Sequence, residues 1–253
     1  MLNYNSLGDA NGVPLLIAHG LFGSARNWGA VARRLSSERR VVVVDMRNHG
    51  TSPHFSSNTY DDMAGDLADV IAPLGTKADV LGHSMGGKAA MVLALRQPGL
   101  VRNLIVADIA PVAYSHSQMP MINAMQSLDL SAISSRREAD AALARQIADP
   151  GVRAFLLQSL NLHGERPEWN LNLGQLAFDM DRICGFPDLS GSFGGRTLFL
   201  TGSQSDYVLP GYHPRIMSLF PNAEFREIAG AGHWLHADRP REFERELQHF
   251  LNR

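Results

Sequence analysis

The sequence predicts an α/β fold: a mostly parallel central sheet with helices on both faces and a helical segment inserted late in the sheet. Three observations predict it. Short runs of Val, Ile and Leu are apolar at every position, which suits strands covered from both sides. They alternate with longer amphipathic stretches, the pattern of βαβ units. The alternation stops between Ala110 and Gly195 and then resumes.

In chain order, Leu2 to Leu7 suits a short antiparallel edge strand, and Leu15 to Ala18 the first parallel one. Val41 to Val44, Asp79 to Leu81, Leu104 to Ala107 and Thr197 to Leu200 read as further strands, with Ala223 to Ile228 last. Helices are expected over Ala25 to Ser37, Tyr60 to Leu74, Met85 to Gln97, His213 to Phe220 and Pro240 to Leu251. The interrupted stretch offers Met121 to Leu128, Ser135 to Ala148, Val152 to Leu160 and Leu173 to Ile183 as helices, and no strand. Because the chain returns to the same sheet, residues 1–110 and 195–253 form the expected core and 111–194 a helical cap inserted into it.

At 253 residues the chain can bury roughly three quarters of its unfolded surface, so neither metal nor disulfide is needed for stability. Twenty-five acids against 23 bases give a net charge of −2, with no basic run to attract nucleic acid or anionic lipid. Cys184 is the single cysteine, which fits a reducing compartment. The first residues carry no charged segment leading into an apolar one, and no apolar run approaches a membrane span, so a soluble cytoplasmic protein is expected.

The chemistry centres on Gly82-His83-Ser84-Met85-Gly86, between an apolar strand and a helix. A sharp strand-to-helix turn projects its central side chain, and glycines two before and two after it let the turn close. The helix N-terminus adds free N–H groups that favour developing negative charge. Ser84 is the expected nucleophile. It needs a base, and His233, in Gly230-Ala231-Gly232-His233-Trp234 after the last strand, is chosen among ten histidines. His236 is the nearest rival, and His19 and His83 shape loops. His233 and His236 have no acidic or Cys partner set to make a metal site.

Two aspartates qualify as the third member. Asp206 lies past the strand ending at Leu200, the usual strand end for the acid, and is the first choice. Asp108, one strand earlier at the end of Leu104 to Ala107, is the alternative. Oxyanion donors are expected at Met85 N–H and in the loop His19 to Ser24, from Leu21 or, failing it, Phe22. The loop Asp45 to Ser52 reads as structural, with a possible Asp45–Arg47 contact.

His19-Gly20, the Gly-x-Ser-x-Gly run, Asp206 and Gly232-His233, in this order, resemble the α/β-hydrolase superfamily over nearly the whole chain. More narrowly, HGLFGS (19–24), VDMRNHGTS (44–52), GHSMGGKAAM (82–91), ADIAPV (107–112) and IAGAGHWLHADRP (228–240) resemble the YbfF-type bacterial esterases and their mitochondrial relatives. The resemblance implies a helical cap, hydrolysis of carboxylic esters of short or medium acyl chains, and no metal or organic cofactor. Within that family the acid after the penultimate strand is not always present, and the Asp of the ADIAP segment then replaces it. Lys88 belongs to the same motif.

The insertion carries Met119, Met121, Met125, Phe155, Trp169, Phe178 and Phe186, some facing an acyl pocket and most forming the cap's own core. Phe22, Trp28, Met121, Phe155 and Trp234 are the expected substrate-binding residues. Ser84 excludes fold relatives that need an Asp nucleophile. Thioesterases and C–C bond hydrolases share the same triad, and a ligand-binding protein on a hydrolase shell is the reading from another class. A small-molecule acyl ester is the expected partner, to a monomer or a dimer.

Overall fold

The computed structural model describes residues 1–9, 12–164 and 166–253. Its main sheet is built from β1 (Tyr4–Leu7), β2 (Leu15–Ala18), β3 (Val41–Val44), β4 (Ala78–His83), β5 (Val101–Ala107), β8 (Arg196–Gly202) and β9 (Ala223–Ile228). They lie in the order β1-β3-β2-β4-β5-β8-β9, parallel throughout except for β1, which pairs antiparallel with β3. The edge strand at the N-terminus is thus where the sequence placed it.

Side-chain alternation sorts the strands into two cores. Leu16, Val42, Val44, Val80, Leu104 and Val106 face α2 (Tyr60–Ile71) and α3 (Met85–Arg96). Leu15, Ile17, Val41, Val43, Leu81 and Ile105 face α1 (Gly29–Leu35) and α11 (Pro240–Leu251). Both faces are covered, as fully apolar strands require. The helix expected from Ala25 opens as a 3₁₀ turn over Ala25–Trp28, tied down where Ala25 N–H donates to Asp45 at 2.7 Å. The second helix tightens to 3₁₀ geometry over Ala72–Leu74, at Pro73.

Between β5 and β8 the chain forms α4 (Met119–Gln126), α5 (Arg136–Leu143), α6 (Pro150–Leu156), α7 (Leu173–Phe178) and α8 (Met180–Cys184). Three departures from the sequence reading have local causes. Leu173 to Ile183 is two helices, broken at Asp179, whose carboxylate accepts from Asn58 N–H at 2.7 Å and from Gln175 and Arg182. The third helix starts early, because Asp149 caps Gly151 and Val152 with Pro150 in the first turn. A two-residue hairpin, β6 (Leu160–Asn161) with β7 (Glu168–Trp169), stands where no strand was expected. After β8 come α9 (His213–Leu219), β9 and α10 (Leu235–Asp238). Arg47 pairs with Asp66 on α2 at 2.6 Å rather than with Asp45, whose carboxylate holds Ala25 and Thr51.

A set of imidazoles lies at and beside the carboxyl ends of the strands, His19, His49 and His83 buried and His236 half-buried. His49 Nδ1–H donates to the Arg47 carbonyl at 2.7 Å, and its Nε2 has no partner among the described residues. His19 Nε2 accepts from Met46 N–H at 2.9 Å, and its ring meets His49 edge-on. His236 stacks on Trp28 with centroids 4.2 Å apart. Burial pushes His49 down to about 3 and His236 to about 4, and lowers His19 and His83 as well.

Two predictions follow from this packing. A Cβ on Gly86 would run into the carbonyl oxygens of Ala18 and His19, so Gly86→Ala should cost about 3 kcal/mol, read as a fall in the denaturation midpoint. The imidazoles are neutral when folded, whereas the unfolded chain takes up their protons below about pH 6.5, so stability is lost as pH falls through that value. By pH 5, His49 and His236 should each cost about 2 kcal/mol. Melting curves from pH 7.5 to 5 should drop steeply, and a flat profile would contradict the neutral assignment.

Candidate active site

β4 ends at His83 and α3 begins at Met85, leaving Ser84 alone to reverse the chain at φ 50° and ψ −119°. A left-handed backbone at a residue with a side chain is strained and persists only where packing enforces it. Here the elbow wedges against the strand-end loop: a Cβ on Gly20 would stand 2.9 Å from His83 Nδ1 and 3.1 Å from Ser84 Cβ. Three of the four non-glycine residues with positive φ among the described residues lie at this site, namely Phe22 (64°), Ser84 (50°) and Asp108 (53°).

Ser84 Oγ lies 3.1 Å from His233 Nε2, placed to donate its proton there. His233 Nδ1–H donates to Asp108 Oδ2 at 2.8 Å. The aspartate at the imidazole is therefore Asp108 and not Asp206. Asp108 is fully buried, and its N–H donates to the Leu200 carbonyl at 2.8 Å. Its carboxylate also accepts from Gly202 N–H at 3.2 Å and from the Ser205 hydroxyl. The last residue of β8 and the loop after it supply these donors instead of a carboxylate. Asp206, in the same loop, is exposed and makes no hydrogen bond among the described residues.

His83, next to Ser84, is buried and uncharged, and its Nε2–H donates to the His233 carbonyl at 2.8 Å. It fixes the loop that carries His233. Gly23 N–H closes a turn onto the Gly20 carbonyl at 3.0 Å, so Leu21 and Phe22 span the turn over the elbow. The N–H groups of Leu21, Phe22 and Met85 have no protein acceptor among the described residues.

A cavity of about 300 Å³ opens onto Ser84 and His233. Phe22, Trp28, Met121, Phe155 and Trp234 all line it, as do Leu21 and Met85. Of the other apolar residues of the insertion, Met125 is in the core and Phe178 is 78% exposed. His236 reaches the wall from α10, and no group of three or more metal-ligating side chains exists among the described residues.

Lys88 and Tyr207 are wall residues to which the sequence alone attached no role. Lys88 is buried; its Nζ donates to the carbonyls of Cys184 at 2.9 Å and Gly185 at 2.5 Å and sits 4.7 Å from the Tyr114 ring. Burial pushes its ammonium down to about 7, while the two carbonyls and the ring face favour the charged form. Tyr207 lies flat on the His233 ring, centroids 4.0 Å apart and planes at 19°. Its signal in the sequence is its place beside Asp206, in the segment already singled out.

Residues 15–246 match the model of the alpha/beta hydrolase family. The chain is 41% identical to the sn-1-specific diacylglycerol lipase ABHD11 of Mus musculus over 260 residues, covering 99% of this chain and 85% of that protein. It is 37% identical to the esterase YbfF of Escherichia coli (strain K12), covering 96% and 94%. A solved structure titled marine microorganism esterase superposes with a TM-score of 0.94 at 36% identity, covering 98% of each chain. The chain belongs to the alpha/beta hydrolase family, as an esterase-type hydrolase.

Proposed function

We propose that this protein hydrolyses carboxylic esters of short to medium acyl chains through an acyl-enzyme on Ser84. The observation that carries the reading is the unbroken relay from Ser84 Oγ through both nitrogens of His233 to Asp108. In it, Ser84 Oγ attacks the ester carbonyl as its proton passes to His233 Nε2. Asp108 holds the Nδ1–H tautomer and meets the positive charge that forms on the ring. The oxyanion draws on Met85 N–H, aided by the dipole end of α3, and on Leu21 N–H, with Phe22 as the alternative donor. His233 then returns the proton to the leaving alcohol. In the second half-reaction it takes one from water, and Ser84 is released.

The substrate class rests on the relatives' names and on the cavity. One relative is named an esterase and another a diacylglycerol lipase, both ester hydrolases. At about 300 Å³ the cavity stands at the small end of the range for small-molecule sites. The inserted segment, residues 111–194, acts as a cap that contributes Met121 and Phe155 to the acyl wall.

A p-nitrophenyl ester series from acetate to decanoate, run beside the matching thioesters, tests this reading. A burst of p-nitrophenol should appear with wild type and vanish in Ser84→Ala, with activity greatest on the shorter esters. Asp108→Asn should lower kcat by about 10⁴-fold, because the imidazole then settles in the wrong tautomer. Asp206→Asn should stay within about threefold of wild type, since an exposed residue away from the imidazole adds little. The absence of an acyl-enzyme across the whole panel would overturn the proposal.

A further inference from the structure

Two rings meet His233. His83 stands tilted against it at 4.7 Å and 42°, and Tyr207 lies nearly parallel on its face at 4.0 Å and 19°. Tyr207 is built into that place from several directions. Its hydroxyl is 2.9 Å from His116 Nε2, and its carbonyl accepts from the Tyr114 hydroxyl at 2.6 Å. Its N–H donates to Ser205 Oγ at 3.3 Å, and the Ser205 hydroxyl in turn donates to Asp108. Tyr114 Oη also accepts from Ala110 N–H at 2.8 Å, two residues past Asp108. One network therefore fixes the carboxylate at the edge of the imidazole and the phenol ring on its face.

We infer that Tyr207 is a positioning residue whose ring face stabilises the imidazolium formed on His233 while the proton is in transit. It rests on His233 being the base of the proposed reaction. An aromatic face carries negative potential and attracts a cation stacked on it, most strongly where water is excluded. The ring does this without accepting a proton, since burial holds the phenol protonated up to about 12. The groups facing His233 are Asp108 from the end of β5, Ser84 and the neutral His83 from the elbow, His236 from α10 and Tyr207 itself. Asp206, beside Tyr207, is exposed. Asp108 compensates the charge at the Nδ1 edge of the ring, and Tyr207 covers one of its faces.

Tyr207→Leu keeps an apolar cover but removes the ring face, and Tyr207→Phe keeps the face but removes the hydroxyl. On one p-nitrophenyl ester, Tyr207→Leu should lower kcat about tenfold with KM within about twofold, and the acid limb of its pH profile should move to lower pH. Tyr207→Phe should stay within about threefold of wild type with the acid limb in place. Should Tyr207→Leu fold poorly, pentafluorophenylalanine at 207 keeps the shape, reverses the charge of the face and should reproduce the leucine result. A rise in KM alone would make Tyr207 only a wall of the pocket. Equal losses in the Leu and Phe variants with an unmoved acid limb would make the His116 bond the cause. Either result overturns the inference, whereas a burst that survives Ser84→Ala strikes at the hydrolase reading itself.

Discussion

A carboxylate with no exposure to water must be compensated by partners where it sits. Asp108 is in that position, and much of the site is arranged around its needs. Gly202 comes to it from the end of β8, Ser205 from the loop that follows, and His233 from the loop after β9. Three strand ends distant in sequence are thereby drawn to one point. That convergence aims the imidazole at Ser84, so the geometry of the serine depends on a pair of oxygens that do not line the cavity.

The relay also depends on backbone held off its preferred conformations. Ser84 and Asp108 follow adjacent parallel strands, and both turn at positive φ. A strand that simply ran on would carry its next side chain away from the cavity mouth. Reversing at the last residue brings both functional groups to the same edge of the sheet. The strain is borne by the strands behind, which are apolar on both faces and paired along their length.

Much of this was legible in the sequence, for a physical reason. Val41–Val44 can be little other than a doubly covered strand, and a Gly-x-Ser-x-Gly run between strand and helix fits few conformations. The place of Ser84 on the strand-to-helix turn was legible for that reason. Which aspartate meets the imidazole was not, because Asp108 and Asp206 both follow strands of the same sheet. What separates them is a reversal at Asp108 and the donors opposite it, neither of which has a local signature. The break at Asp179 was hidden likewise, since its partner Asn58 is brought to it only by the fold. Tyr207 and Lys88 went without roles because a stacked ring and a main-chain anchor are tertiary facts.

The anchor has a consequence of its own. Lys88 fastens the elbow helix to the end of α8 through the carbonyls of Cys184 and Gly185, groups that every residue possesses. Such a mooring does not read the side chains it holds. The inserted helices can therefore diverge, exchanging one cavity wall for another, without loosening their grip on the elbow helix. The two parts are joined at a point indifferent to sequence, which leaves each free to change without the other.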